Sequence, residues 1–412
     1  MKKMVIFIVT LVITSMIIMF SNSSKQELEH ISLDNNLDNL VGVYLENEDG
    51  EYETSSDIPQ KGSGYQFNKV VCENDVEAEW NEESWSLIVP NNVVNFKCNL
   101  YFDKAQPIKD ILLTYYPKVL TRTDFSTIVT DTTTGTIYKS ADNSQFDDDG
   151  EVYYFAGNPQ DNWVKFAGYY WRIIRINGDG SLRIIYNGTS PITTGANTQI
   201  GTSAFNTAYH SNEYVGYMYT GMEVHGISNS SVVKLKLDEW YKLNIVDQRY
   251  MDYIDLNAGF CNDRTPSSGN GLSISSTKYA LYDRLTNVGK PTFKCSHQDD
   301  LFTVATSNKG NKALQYPIGL ITGDEVWYAG GGAYNYTNNS YYLYTSSSYW
   351  TMSPSSFGSS YAYVFYVNHL GDFSAAIVDG TFGVGIRPVI NLKSNVHISD
   401  GNGLADSPFL IS

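Results

Sequence analysis

Four cysteines are the residues of this 412-residue chain best suited to covalent chemistry. They could form disulfides, a redox pair or part of a zinc site. Zinc sites use short ligand spacings, and neither neighbouring pair of cysteines has one. Disulfides persist in exported proteins, and four cysteines allow three pairings. Chain order and the domain division given below favour Cys72–Cys98 and Cys261–Cys295, with a redox role for the second pair as the alternative.

The other candidates for metal or acid–base chemistry are a short acidic run and a few histidines. The run at residues 147–151 lacks the alternating oxygen ligands of a calcium loop, so we predict a solvated acidic turn. No metal-ligand spacing joins the histidines, which are expected at the surface or in packing roles: His210, His225, His297 and His369. Neither a nucleophile elbow nor a phosphate-binding loop is present. The sequence therefore predicts no catalytic residue, no metal and no cofactor.

A tract rich in tyrosine, serine and asparagine, YNYTNNSYYLYTSSSYW, occupies residues 334–350. Tyrosine offers a large amphipathic contact area, and serine and asparagine offer adaptable hydrogen bonds, which is the chemistry of binding surfaces. Because the pattern does not alternate, we predict an exposed loop. Trp350 is expected beneath it as a core residue of a strand. The predicted ligand-binding residues are Tyr334, Tyr336, Asn338, Tyr341, Tyr342, Tyr344 and Tyr349.

A helix start precedes this tract, and strands follow it. Thr322 and Glu325 have the spacing of a capping box, Ile321 and Val326 that of a hydrophobic staple, and Gly330 is a stop. The tail is predicted to complete the sheet beside the first strand of its domain. The predicted strands and the tail cover residues 361–367, 373–378, 385–392 and 401–412.

Upstream, the sequence predicts a hairpin and a second helix. Residues 169–176 and 181–187 flank an Asn-Gly-Asp-Gly turn, and both faces of this hairpin are apolar, so it should be central. A helix is predicted over residues 231–246 with Ser230 as its cap. Residues 247–315 form a long excursion that the second cysteine pair would staple. Near the C-terminus, Arg387 is predicted to be a buried, hydrogen-bonded structural residue.

The chain is long enough for two domains with separate cores. Residues 40–104 contain short strands divided by turn residues and predict a small all-β domain that holds Cys72 and Cys98. Residues 105–135 predict a short helix and a threonine-rich connector. The second domain then covers residues 136–412.

The N-terminus has the features of an export segment. Lys2 and Lys3 precede an apolar run, so residues 1–24 are a signal peptide or an uncleaved signal anchor, followed by a polar stalk at residues 25–39. Both alternatives place the rest of the chain at the extracellular face of the membrane or in the medium. The net charge of −16 argues against nucleic acid and anionic membrane surfaces as partners. The membrane is thus contacted only through the N-terminal segment.

The order of a short helix, a polar aromatic loop, a Trp-containing strand and the closing sequence GVGIRPVINL resembles the C-type lectin-like fold. Its version is shared by the formylglycine-generating enzyme family, a bacterial surface domain and the variable proteins of diversity-generating retroelements. The resemblance implies an α+β domain with an antiparallel sheet and two main helices, after the small all-β domain and the N-terminal helix. The run from Cys72 through Trp80 and Trp85 to Phe102 is similar to a module of exported proteins from gut Gram-positive bacteria.

Most members of that fold outside the enzyme branch bind ligands, which implies an exported ligand-binding or adhesion protein. Its expected partner is an unknown protein or glycan at the cell surface. The alternative is an exported enzyme, a degenerate member of the formylglycine-generating enzyme fold. That branch uses a late cysteine pair, whereas no cysteine follows Cys295 here. The Glu-Pro-Asn and Trp-Asn-Asp signatures of calcium-dependent sugar binding are absent from the corresponding stretch as well.

Overall fold

The computed structural model describes residues 28–30, 40–61, 63–82, 84–90, 96–331, 337–380 and 383–411. The predicted export segment, residues 1–24, and most of the predicted stalk lie outside this part of the chain. Across the described residues, no helix has the length and apolar character needed to cross a membrane. The chain divides into two compact units between Lys104 and Ala105.

The first unit has two small sheets. Its described strands are β1 Leu28–His30, β2 Leu40–Glu46, β3 Tyr52–Ser55, β4 Tyr65–Cys72, β5 Glu79–Asn81, β6 Ser86–Pro90 and β7 Cys98–Lys104. The sheet orders are β3-β2-β7-β4 and β1-β6-β5. In β7 alternate residues Cys98, Leu100 and Phe102 are buried, because one face of the strand covers the core. Cys72 lies opposite Cys98 on the neighbouring strand, and the predicted disulfide joins them.

The second unit is built on two larger sheets. Its strands are β8 Lys118–Thr121, β9 Thr136–Lys139, β10 Tyr153–Tyr154, β11 Trp163–Phe166, β12 Tyr169–Ile176, β13 Leu182–Tyr186, β14 Met218–Tyr219, β15 Asn229–Ser230, β16 Phe260–Cys261, β17 Pro266–Ser268, β18 Thr277–Tyr279, β19 Leu301–Phe302, β20 Tyr349–Gly358, β21 Tyr361–Val367, β22 Phe373–Ile377, β23 Val389–Leu392, β24 Ile398–Asp400 and β25 Phe409–Ile411. One sheet has the order β24-β25-β11-β12-β10-β9-β8, with β13 between β12 and β23, and the other has the order β17-β18-β20-β21-β22.

The predicted hairpin is present and central. β12 and β13 pair antiparallel, and β13 pairs on its other side with β23. Every residue of β13 is buried, and so are the last six residues of β12. Arginines within these strands are therefore removed from water and need polar partners.

Four α-helices are described in the second unit: α1 Ile108–Tyr115, α2 Val232–Tyr241, α3 Ala280–Asp283 and α4 Gly323–Tyr328. The cap of α2 is Ser231, whose side chain accepts from the Lys234 amide at 3.3 Å. The predicted cap, Ser230, is instead the last residue of β15. In α4 the predicted capping box is present: the Thr322 hydroxyl accepts from the Glu325 amide at 3.1 Å, and the Glu325 carboxylate accepts from the Thr322 amide at 2.8 Å.

Two segments pair differently from the sequence prediction. β25 in the tail runs parallel to β11 rather than beside β9, the first strand of the predicted domain, because β9 already pairs with β10 and β8 on its two sides. Residues 105–135 are more than a connector, since β8 pairs in parallel with β9 and extends the first sheet.

The long excursion at residues 247–315 contains short strands and α3, and the Cys261–Cys295 disulfide is present in it. The architecture is α+β, mostly sheet with few helices.

Candidate functional site

The tyrosine-rich tract lies between α4 and β20, and the structure describes it from Thr337 onward. Tyr334 and Tyr336 lie outside the described residues. The prediction of an exposed loop is wrong for Asn338, Tyr341, Tyr342 and Tyr349, whose exposed fractions are 3%, 3%, 4% and 0%. The three tyrosine rings belong to the main apolar core of the unit, whereas Tyr344 stays half-exposed. Trp350 is fully buried, as predicted.

Backbone and side-chain hydrogen bonds hold the tract against the rest of the unit. The Tyr342 amide donates to the Gly157 carbonyl at 2.9 Å, and the Asn338 side chain donates to the Gly330 carbonyl at 2.7 Å. The carbonyl of Leu343 accepts from the Tyr349 hydroxyl at 3.0 Å and from Arg387 Nη1 at 3.1 Å. Buried irregular backbone needs such partners, since it lacks the regular pairing of a sheet. From Thr337 onward the tract is therefore a fixed wall rather than a free loop.

Residues of this wall line two cavities. The first, called here the Arg172 cavity, has a volume of about 320 Å³ and takes Tyr341, Tyr342, Tyr344 and Thr345 from the tract. The second, called here the serine cavity, has a volume of about 470 Å³ and takes the three consecutive serines at residues 346–348. Beyond the tract, the Arg172 cavity is lined among others by Asn158, Gln160, Trp163, Arg172, Asn187 and Asn339. The serine cavity is lined among others by Ala196, Gln199, Thr202, Tyr366 and His369.

Arg172, on β12, is the charged group of the Arg172 cavity. Its Nε donates to Asn162 Oδ1 at 2.6 Å, and its Nη2 donates to the Pro159 carbonyl at 2.7 Å. The guanidinium lies 4.1 Å from the ring centre of Trp163, its cross-strand neighbour. Burial lowers the pKa of Arg172 to about 9. Within the described residues no carboxylate forms an ion pair with it, and Asp161 acts on it only at longer range.

Arg387 lies behind the same cavity. Its Nη2 donates to Asn187 Oδ1 at 2.9 Å, and its Nε donates to the Tyr186 carbonyl at 3.2 Å. The side chain is fully buried and hydrogen-bonded, as predicted for a structural arginine. Burial lowers the pKa of Arg387, and in the described part of the chain it too forms no ion pair with a carboxylate.

Three other buried arginines of the unit and the partly buried Arg284 each have a carboxylate partner. Arg175 contacts Asp147 and Glu325, Arg183 contacts Glu325, Arg264 contacts Asp300, and Arg284 contacts Asp263 and Asp324, all between 2.6 and 3.0 Å. Arg122 has no carboxylate partner among the described residues, but it donates to three backbone carbonyls and lines neither cavity. Arg172 thus differs from these four, because it lines a cavity and no carboxylate of the described residues pairs with it.

The acidic run is not a solvated turn throughout. The Asp147 side chain is only 7% exposed and pairs with Arg175, since it lies beside the central strands of the sheet. Burial raises the pKa of its neighbour Asp148.

Two of the scattered histidines lie in contact: the rings of His225 and His297 stack at 3.9 Å, and His225 contacts Asp300 at 3.0 Å. Within the described residues no group of three or more metal-ligating side chains comes together.

Sequence reasoning did not identify Trp163, Arg172 or Asn187 as site residues. One signal was available for Arg172, which stands in a strand that is apolar on both faces. A charge at such a position requires a partner, and the sequence contains no local partner for it. Only the fold brings together Arg172 on β12, Asn187 after β13 and the tyrosine-rich tract.

Comparison of the chain with protein-family models, with curated proteins and with solved structures gave no match.

Proposed function

We propose that this chain is an exported ligand-binding or adhesion protein of the cell surface, and that it binds through the two cavities beside the tyrosine-rich tract. The observation that carries the proposal is the position of the tract. Its residues line both cavities: Tyr341, Tyr342, Tyr344 and Thr345 line the Arg172 cavity, and the serines at 346–348 line the serine cavity.

The chemistry of the two cavities supports binding. Amide and hydroxyl side chains supply donors and acceptors, and half-exposed Tyr344 and Tyr366 supply amphipathic rings. Recognition sites commonly combine rigid aromatic contacts with adaptable polar groups. The buried tyrosines contribute by holding the wall in place, and the ligand contacts belong to the half-exposed and exposed residues around them.

Export and the lectin-like fold are part of the same proposal. Two disulfides suit an oxidising compartment outside the cytoplasm. The order of α4, the tract, β20 and β23 is compatible with a C-type lectin-like domain, whose members present this region to ligands. A protein or a glycan at the cell surface would then be the partner.

Capture on glycan and peptide arrays tests this proposal, using the full chain produced in a bacterial host that exports it. Asn339→Trp places a bulky side chain at the Arg172 cavity, and Ala196→Trp does so at the serine cavity; both positions are exposed. Asn143→Trp, at an exposed residue that lines neither cavity, is the control. We expect one of the two cavity variants to lose at least tenfold in capture. If both capture ligand as well as the control does, the proposed function is wrong.

A further inference from the structure

We propose that the Arg172 cavity binds the carboxylate of an acidic saccharide, such as a hexuronic or sialic acid. This inference rests on the proposed function and specifies the ligand of one of its two cavities. It follows from the charge, the geometry and the remaining lining of the cavity.

The charge of the cavity is unusual for this protein. The chain carries a net charge of −16, yet none of the described side chains that line the cavity is acidic. Arg172 lines it directly, and Arg387 reaches it through Asn187. A buried charge without a counter-ion costs free energy, and the four arginines that pair with carboxylates show how this fold otherwise avoids that cost. A ligand carboxylate would supply the missing counter-ion.

The geometry of Arg172 leaves one nitrogen for such a ligand. Nε and Nη2 are held by Asn162 and the Pro159 carbonyl, while Nη1 makes no hydrogen bond within the described residues. The ring of Trp163 lies 4.1 Å from one side of the guanidinium, and the ring of Tyr342 lies 5.2 Å from it. These contacts fix the plane of the guanidinium before a ligand arrives. A preorganised arginine is well suited to a carboxylate, because its planar donors match the carboxylate oxygens.

The rest of the lining suits the hydroxyl groups of a sugar ring. Asn158, Gln160 and Asn339 each offer an amide donor and an amide acceptor, and Thr193 and Thr194 offer hydroxyls. A hydroxyl group also donates and accepts, so adjacent sugar hydroxyls can pair with such side chains. Half-exposed Tyr344 adds an aromatic surface for the apolar face of a ring. The volume of about 320 Å³ lies in the usual range for small-ligand sites.

Isothermal titration calorimetry of the full chain tests this inference. The probes are methyl glucuronide and methyl N-acetylneuraminide, each compared with its own methyl ester, which keeps the sugar and removes the charge. We expect at least one acid to bind tenfold or more tightly than its ester, and its affinity to fall as salt is raised. Equal binding of an acid and its ester would overturn the inference. N-acetylglutamate carries carboxylates but no sugar ring, so the inference is also wrong if this probe binds as tightly as the acidic sugars.

Two matched pairs of variants locate the binding. Arg172→Lys keeps the charge but loses the planar donors, so we expect at least a tenfold loss of acid binding, whereas Arg122→Lys should leave affinity unchanged. Thr194→Trp fills the cavity from an exposed position without altering Arg172, and Thr286→Trp is its exposed control. Acid binding that survives Thr194→Trp contradicts the inference even if Arg172→Lys fails to fold. If only Ala196→Trp abolishes array capture, the inference is wrong while the proposed function stands.

Discussion

Arg387 donates a hydrogen bond from Nη2 to Oδ1 of Asn187 over 2.9 Å, and Asn187 is the residue through which that buried charge meets the Arg172 cavity. The amide nitrogen of Asn187 is also held, by the Thr193 carbonyl at 3.3 Å. A neutral amide therefore stands where a carboxylate would neutralise Arg387. Arg172 lines that cavity directly, whereas Arg387 is fully buried behind it.

Replacing that amide by a carboxylate should separate stability from binding. In Asn187→Asp the new carboxylate pairs with Arg387 but can no longer donate to the Thr193 carbonyl, so we expect the free energy of unfolding to change by less than about 1 kcal/mol, because the gain and the lost bond offset each other. The same carboxylate competes with a ligand anion, so binding of acidic saccharides should weaken. Denaturant unfolding and calorimetry measure the two effects. Asn187→Leu is the control, and it should lose about 2 kcal/mol because Arg387 Nη2 is left unpaired.

Two buried tyrosines of the tract should respond differently to loss of the hydroxyl. The Tyr342 hydroxyl is buried and makes no hydrogen bond within the described residues, whereas the Tyr349 hydroxyl donates to Leu343 at 3.0 Å. We expect Tyr342→Phe to leave the free energy of unfolding unchanged or to raise it, and Tyr349→Phe to lower it by about 1 kcal/mol. Thermal or urea unfolding of both variants decides this. A larger loss of stability in Tyr342→Phe than in Tyr349→Phe would contradict the hydrogen bonding described for the two hydroxyls.

Glu325 joins the helix cap of α4 to the central hairpin. We expect its negative charge to contribute strongly to the stability of the second unit. One carboxylate oxygen accepts from Arg175 at 3.0 Å and contacts Arg183 at 2.6 Å, while the other caps the helix. Glu325→Gln keeps a capping acceptor but leaves two buried guanidinium groups with less compensation. We expect a loss of about 3–5 kcal/mol in denaturant unfolding, as for other broken buried ion pairs. A loss below about 1 kcal/mol would contradict this role.

Because of the same carboxylate, we expect the stability of the protein to fall at acid pH. Burial acts to raise the pKa of Glu325, but Arg183 and Arg175 outweigh it, so the pKa is lowered from its ordinary value of 4.5. The stability from this group is then complete above pH 4.5 and is lost as the pH falls through the lowered pKa. Urea unfolding of the wild type should therefore show a steeper decline at acid pH than Glu325→Gln does. If stability falls with pH equally in the wild type and in Glu325→Gln, the lowered pKa of Glu325 does not contribute to acid sensitivity.

The disulfides can be tested directly in the exported protein. Mass spectrometry of unreduced peptides should recover Cys72 linked to Cys98 and Cys261 linked to Cys295. Replacing both Cys261 and Cys295 by serine should cost on the order of 3 kcal/mol, because the unfolded chain regains the freedom of the closed loop. Recovery of a Cys98–Cys261 link would contradict the division into two units.

Features with a local cause could be predicted from the sequence alone. The Asn-Gly-Asp-Gly turn determines the hairpin, and the spacing of Thr322 and Glu325 determines the capping box, because the interacting groups are a few residues apart. Trp350 is predicted in the core because it is a tryptophan of a strand that lies beneath the tract. The two disulfides needed only the assumption that each pair stays within its own unit.

Only the tertiary structure decided which side of the tract faces inward and which arginine faces a cavity. Tyrosine is amphipathic, so a sequence rich in it suits a surface loop and a buried wall equally. Tyr341, Tyr342 and Tyr349 are buried because Gly157 and Arg387, distant in sequence, supply the hydrogen bonds that irregular backbone requires. Likewise, whether a strand arginine finds a carboxylate depends on what long-range folding brings beside it. Arg175 meets Glu325, whereas Arg172 meets a cavity.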